Sequence, residues 1–392
     1  MKKYMFWEDI PLKYRGERVT TFDRLLEITG ERVVEKLEIG MPPVITFDPS
    51  IETFKVKIID MDGAEHVLET PVYALRQLTS DLMHLGDISK FIAASAKVDS
   101  QMGFGGNGEL EATANISRIN KIIYNIWQKT RVENSRAKKA LCFKTEDIFG
   151  LNARCFATTS YKIKTDYDLL SSLDNTDMFL HSFITPVKTR ATFGIKSGSE
   201  ICDLATLVGF TVWNSEFKES STGICASIFI EELGAPFYGY TTNYMGKVRH
   251  VGSNYQSRVS NMMERILGKA EEFNEWFGKK MSRADAIEID IDKEDEFGDP
   301  LLMRELHIRS RNEYGDIIEI HRKRGLPNTV AGIALAVIDY ADKRAKNDNE
   351  KDNYNKKALD IIKDPDRFGE AMNRDIEPIE RRAEMIEFEF EL

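Results

Sequence analysis

Residues 207 to 230 read LVGFTVWNSEFKESSTGICASIFI. Two runs rich in β-branched and aromatic residues flank NSEFKESS, a cluster of turn-forming and polar residues, and this pattern predicts two strands. The same texture extends outward through RCFATTSYKIK (154 to 164), FLHSFITPVKTRATFGI (179 to 195) and on to Leu233. Between two of these segments TDYDLLSSLD (165 to 174) reads as a short helix capped by Thr165 or Asp166. An antiparallel sheet with interspersed helices is the expected architecture.

On the N-terminal side, TTFDRLLEITGERVVEKL (20 to 37) has apolar residues at roughly helical spacing interrupted at Gly30, and FKVKIIDMDGAEHVLE (54 to 69) reads as two strands around the hairpin dipeptide Asp62-Gly63. Helical segments follow at 71 to 85 and 87 to 97, then the glycine-rich MGFGGNGE (102 to 109), read as a linker, and a long helix over 110 to 131. On the C-terminal side a helix is expected over Val259 to Phe277, an acidic connector over 287 to 299, and a helix over 328 to 346 capped by Asn328 or Thr329. The fold class is therefore α+β. It divides into a mixed module over 1–100, a linker and basic amphipathic helix over 101–150, a central antiparallel-sheet domain over 151–285, and a mainly helical region with an acidic tail over 286–392.

Composition sets the outer limits. With 392 residues, 42% hydrophobic and 30% charged, the chain can bury a sizeable core in two or three structural units. Its apolar runs, such as Ile333 to Ile338, are far shorter than the roughly 20 residues that span a bilayer, and MKKYMFWEDIPLKY has no apolar targeting core, so a cytoplasmic protein without membrane association is expected. Cys142, Cys155, Cys202 and Cys225 form no CxxC pair, which fits reduced, buried thiols. The net charge of −10 argues against coating by nucleic acid through overall attraction and shifts attention to local charge.

Catalytic signatures are missing. The six histidines form neither HExxH nor HxH, and no GxSxG, P-loop or zinc-deaminase pattern occurs, so no catalytic residue, metal ligand or cofactor is assigned. EIDIDKEDEFGD lacks the glycine and terminal glutamate of a calcium loop and reads as a solvated connector. Asn214, Ser215 and Glu216 form either a polar site or a turn.

Basic clusters carry the stronger signal. YMGKVRHVGSNYQSR (244 to 258) sets Lys247, Arg249, His250 and Arg258 beside Tyr244 and Tyr255. HIRSRNEYGDIIEIHRKRG (307 to 325) contributes Arg309, Arg311, Arg322, Lys323 and Arg324, which a hairpin around Tyr314-Gly315-Asp316 would bring together. A third group, seven Lys or Arg between Arg118 and Lys139 against the single acid Glu133, has Tyr124 and Trp127 among it. Cations neutralise phosphates and exposed aromatic rings stack on unpaired bases, a combination suited to single-stranded nucleic acid. In this scheme Lys247, Arg249 and Arg258 hold phosphates, Tyr244 or Tyr255 stacks, and Gly246 and Gly252 permit close approach. The alternative is that these are solvated faces paired with acids elsewhere. The tail EFEFEL (387 to 392) alternates acids with apolar residues and is read as a protein-recruiting segment or a terminal strand.

Four stretches, RCFATTSYKIKTDYDLL (154 to 170), LVGFTVWNSEFKESSTGICASIFI (207 to 230), VRHVGSNYQSRVSNMMERIL (248 to 267) and LPNTVAGIALAVIDYADK (326 to 343), together resemble the uncharacterised phage/plasmid-like protein family over about residues 150 to 345. The chain departs from that pattern at TTNYMG (241 to 246), which lacks the family's cysteine. The resemblance implies a mobile-element context. Joined to the basic strip, it leads to the expectation of a non-enzymatic, oligomeric single-strand DNA-binding or annealing protein in recombination or replication. The alternatives are a structural or host-interaction protein, or a metal-dependent nuclease using acids from 288 to 299 and Glu216.

Overall fold

The computed structural model describes residues 16–48, 53–78, 108–133, 140–158, 165–173, 178–185, 188–198, 200–215, 221–250, 254–308, 310–345 and 348–374. The expected helix over 87 to 97, the glycine-rich stretch over 102 to 107, Glu216, Gly252, Arg309 and the tail from 375 onward lie outside them. Two sheets organise the described residues, with helices around both, as an α+β protein.

The larger sheet has seven strands: β1 (Glu17–Val19), β8 (Phe179–Ile184), β9 (Thr189–Ser197), β10 (Thr206–Asn214), β11 (Thr222–Ile230) and β12 (Ala235–Tyr238) in that spatial order, with β13 (Met245–Val248) pairing the first half of β11. Every pairing is antiparallel. The stretch 207 to 230 is thus the β10–β11 pair, registered from Thr206↔Ile230 to Trp213↔Gly223. Close approach at the far end requires a glycine: a Cβ at Gly223 would fall inside the Trp213 indole.

Along β9 to β11 nearly every residue is buried, so both faces of this sheet are covered. One face is apolar. Val208, Phe210, Val212, Ile224, Ala226, Ile228 and Phe237 share a core with α5 (Tyr255–Leu267) and α6 (Ala270–Asp285), where Phe237 stacks on Phe277 at 4.6 Å between centroids. The break between these helices falls after Leu267, and α6 continues eight residues beyond the expected end at Phe277. The opposite face is polar, with Arg190, Thr192 and Thr211 buried on it.

The smaller sheet has the order β2 (Val33–Glu38), β6 (Ala140–Asp147), β7 (Gly150–Thr158), β5 (Glu65–Thr70), β4 (Thr53–Ile59), β3 (Val44–Asp48), with β5 and β7 parallel and the other pairs antiparallel. Asp62-Gly63 does turn the β4–β5 hairpin, Gly63 supplying φ = +85°. Within the helix expected over 71 to 85, Val72–Arg76 is α2, and the helix α3 (Gly108–Glu133) lays Ile116, Ile119, Ile123 and Trp127 over Ile45, Phe54, Val56, Ile58 and Leu68. Two readings change here. Only Phe22–Gly30 is helical (α1), because the β-branched Val33 and Val34 pair with β6. Residues 140–158 complete this sheet while β1 joins the larger one, so a boundary at 150 cuts through the β6–β7 turn.

Helices α7 (Leu301–Glu305), α8 (Arg311–Arg324), α9 (Val330–Lys343), α10 (Asp348–Lys363) and α11 (Pro365–Asn373) complete the C-terminal part. The segment expected to form a hairpin around Tyr314-Gly315-Asp316 is instead α8. Ser310 caps its N-terminus by accepting from Glu313 N, and Gly325 ends it in the left-handed conformation. In α9, capped by Thr329, every residue from Val330 to Asp342 is buried. Among the described residues no helix is long and apolar enough to cross a membrane.

Candidate nucleic-acid interface

β13 is an edge strand, and its pairing Gly223↔Lys247 and Thr222↔Val248 settles which way the basic strip faces. Side chains alternate along a strand, so Lys247 shares a face with Met245, while Gly246 and Val248 turn toward α5. Lys247 and Arg249 are exposed, and neither has a carboxylate partner among the described residues. From α5, Arg258 Nη2 donates to the Arg249 carbonyl at 3.1 Å and Arg265 Nη2 to the Met245 carbonyl at 3.2 Å. These hydrogen bonds tie two further guanidinium groups to the backbone of the strip. Gly246 is needed for this docking rather than for a ligand: a Cβ there would lie 2.5 Å from Met262 Sδ and 2.8 Å from Arg265 Nη2.

The inward residues of the strip have a different role. Tyr244, expected to stack on a base, is buried against Phe273 with its hydroxyl donating to Glu272 at 3.3 Å. Tyr255 and His250 are buried as well. Burial raises both phenols above their usual range. The tyrosines of the strip therefore offer no free ring face, a correction to the sequence reading that follows from strand alternation and from the first turn of α5 packing inward.

A hydroxyl relay holds these residues. Thr222 Oγ1 meets Tyr255 OH at 2.5 Å, His250 Nε2 at 2.8 Å and Asn214 Oδ1 at 2.6 Å. Asn214 Nδ2 donates to Asp166 Oδ1 at 2.8 Å, so its Oδ1 accepts the single Thr222 proton. Tyr255 OH and His250 Nε2–H must then donate to Thr222, which fixes the imidazole with a proton on Nε2. The relay ends on Asp166, the first residue of α4 (Asp166–Ser171), bound to Arg32 Nη1 at 3.1 Å and Thr189 Oγ1 at 2.5 Å; Arg32 also reaches Asp147 at 3.0 Å, and Arg154 pairs with the Asp147 carboxylate at 2.9 Å. The Asn-Ser-Glu segment thus contributes Asn214 to a structural relay that joins the two sheets.

The polar face of the larger sheet escaped sequence reasoning. Cross-strand register aligns Arg18, Phe183, Arg190, Trp213, Gly223 and Lys247 in one row and His181, Thr192, Thr211, Cys225 and Met245 in the next. Onto this face α10 inserts adjacent charges. Lys351 Nζ binds Asp342 at 2.5 Å and lies over the Phe183 ring at 4.6 Å, while Asp352 accepts from Arg190 at 2.7 Å and from Tyr240 at 2.6 Å. Despite its desolvation, Asp342 stays well below the ordinary carboxylate range because Lys351, His181 and Arg18 surround it. Burial holds His181 down to about 4. No local motif marks the ionisable groups, since Arg18, His181, Arg190, Asp342 and the Lys351–Asp352 pair come from five separate elements.

Among the described residues, the cations from 311 to 324 are each paired with an acid. Arg311 pairs with Asp299 at 2.6 Å, Arg322 with Asp292 at 2.8 Å, Lys323 with Glu319 at 2.5 Å and Arg324 with Asp339 at 3.0 Å. Those partners include acids of the 287–299 connector, whose Asp290 and Asp295 also accept backbone N–H groups of their own turns. Among the described residues no three His, Cys, Asp or Glu side chains converge as a metal set. In α3, by contrast, Arg118, Lys121 and Tyr124 are exposed.

Compared with protein-family models, curated proteins and solved structures, the chain matches none of them.

Proposed function

We propose that the protein binds single-stranded nucleic acid, without catalysing a reaction on it, along the edge formed by β13 and α5. The observation that carries this reading is the contrast between the basic clusters: Lys247 and Arg249 stand exposed with no carboxylate partner among the described residues, whereas Arg311, Arg322, Lys323 and Arg324 are each paired with an acid. Exposed cations on a sheet edge attract phosphate and release counterions, and the acidity of the chain as a whole confines binding to its exposed basic patches. Lys247, Arg249 and Arg258 hold phosphates in this scheme, with Arg265 extending the row. Annealing in recombination or replication of a mobile element, by an oligomer of the chain, is the biological setting that the resemblance to phage and plasmid proteins supports.

The test is fluorescence polarisation of labelled oligothymidylate over a salt series. Binding should be measurable at low salt, and replacing Lys247, Arg249 and Arg258 together by Ala should weaken it and flatten the salt dependence by about 0.7 for each phosphate no longer neutralised. No binding at low salt, or a triple variant that binds like the parent, defeats the proposal. Binding of a peptide with the sequence of the acidic tail, but not of DNA, assigns the strip to a protein partner instead.

A further inference from the structure

A groove of about 680 Å³ runs between α3 and the edge strand β3, lined by Ile45, Thr46, Ser117, Lys121, Tyr124 and Asn125 among others. Its features complement those of the β13–α5 edge, which has cations but no open aromatic ring. Tyr124 is 53% exposed, and Lys121 lies one helical turn before it on the same wall. Arg118, a further turn back, is exposed, and neither cation has a carboxylate partner among the described residues. Ser117 and Asn125 add hydroxyl and amide groups of the kind that bond base edges.

An edge strand ordinarily invites another strand, but here that option is closed at the groove. Asn120 Oδ1 accepts from Ile45 N at 2.9 Å and its Nδ2 donates to Ile45 O at 2.8 Å, so a side-chain amide takes the place of a pairing strand. The same two bonds fix the separation of the groove walls. An extended peptide is thereby disfavoured, while an occupant that needs a flat ring face, polar edges and one or two cations is favoured.

We infer that this groove is a base-stacking subsite for single-stranded nucleic acid, with an unpaired base on Tyr124 and the flanking phosphates on Lys121 and Arg118. The inference rests on the proposed binding activity and locates the aromatic platform that the basic strip does not supply.

The experiment uses the full chain with oligothymidylate carrying iodouracil, cross-linked by near-ultraviolet light and mapped by peptide mass spectrometry, beside polarisation titrations. A cross-link on Tyr124 is expected. Tyr124→Ala should weaken binding about tenfold with an unchanged salt slope, within the range for removing one stacked base. Tyr124→Phe should bind like the parent, and Lys121→Ala should weaken binding and flatten the slope. If cross-links fall only on the peptide from 244 to 258, and Tyr124→Ala binds like the parent while the strip triple variant does not, the subsite is overturned and the binding activity stands. If the parent chain binds no oligonucleotide at low salt, both fail together.

Discussion

At the scale of the residue, the fold depends on a few positions where chemistry leaves little choice. Thr222 is one: its hydroxyl joins Tyr255, His250 and Asn214, and through Asn214 the buried Asp166. Thr222→Val keeps the shape but removes that junction, so it should cost about 1–3 kcal/mol, with Thr222→Ser much milder because the hydroxyl survives. Urea unfolding of the two variants measures the difference, and equal losses would mean that the methyl group rather than the relay matters. Gly223 is another. The Trp213 indole lies where a Cβ would go, and Gly223→Ala should destabilise by about 1–3 kcal/mol through overpacking, less in a Trp213→Leu background that makes room.

At the scale of the element, α10 is held to the polar face of the larger sheet by two neighbouring charges of opposite sign. Lys351 answers Asp342 on α9, and Asp352 answers Arg190 on β9 and Tyr240. Taking away one member of a buried pair strands the other, and Lys351→Met should therefore cost about 3 kcal/mol, at the lower end for such pairs because the Arg18 guanidinium remains beside Asp342. Hydrogen exchange should show the loss as lowered protection concentrated in α10. Uniform loss along the chain would contradict the view of this pair as the local anchor of that helix. α8 shows the opposite use of charge: Arg311, Arg322 and Lys323 pair with acids at the surface, where such bridges contribute little, and Arg322→Ala should leave stability nearly unchanged.

At the scale of the whole molecule, the buried charges link folding to pH. His181 is neutral in the fold because burial holds it at about 4 against an ordinary 6.5. An unfolded chain binds a proton there as the pH drops through 6.5 while the folded one does not, so stability is full above about pH 6.5 and declines toward pH 4. The integrated loss is about 3 kcal/mol at 1.36 kcal/mol per pH unit over that interval. Asp342 and Asp352 are displaced downward, so their contribution is present above the ordinary carboxylate range and is lost on further acidification. A melting-temperature profile should fall from about pH 6.5 downward, and His181→Gln should flatten it over the upper part of that interval. A profile unchanged by the substitution would place the acid sensitivity elsewhere.

What the amino-acid sequence determined by itself is the set of elements whose causes are local. The strands at 206–214 and 222–230, the Asp62-Gly63 hairpin, and the Thr165 and Thr329 helix caps all follow from side-chain sterics, turn chemistry and hydrogen bonds within a few residues. Local signals failed where distant pairing competed with them. Val33 and Val34 left a helical pattern for a strand because β6 was there to receive them, and 311–324 became a helix with an apolar stripe, Ile317, Ile318 and Ile320, turned to the core. The basic strip was legible as a composition, but not the direction of its side chains. Only the pairing of β13 with β11 decided that Lys247 and Arg249 face outward while Tyr244, His250 and Tyr255 serve the interior. The ionic face built from Arg18, His181, Arg190, Asp342 and Lys351 was wholly a product of tertiary structure. Its members are separated by up to hundreds of residues, and a one-residue slip of a strand would have sent Arg18, His181 or Arg190 to the opposite side of the sheet, away from Asp342 and Lys351 on the helices.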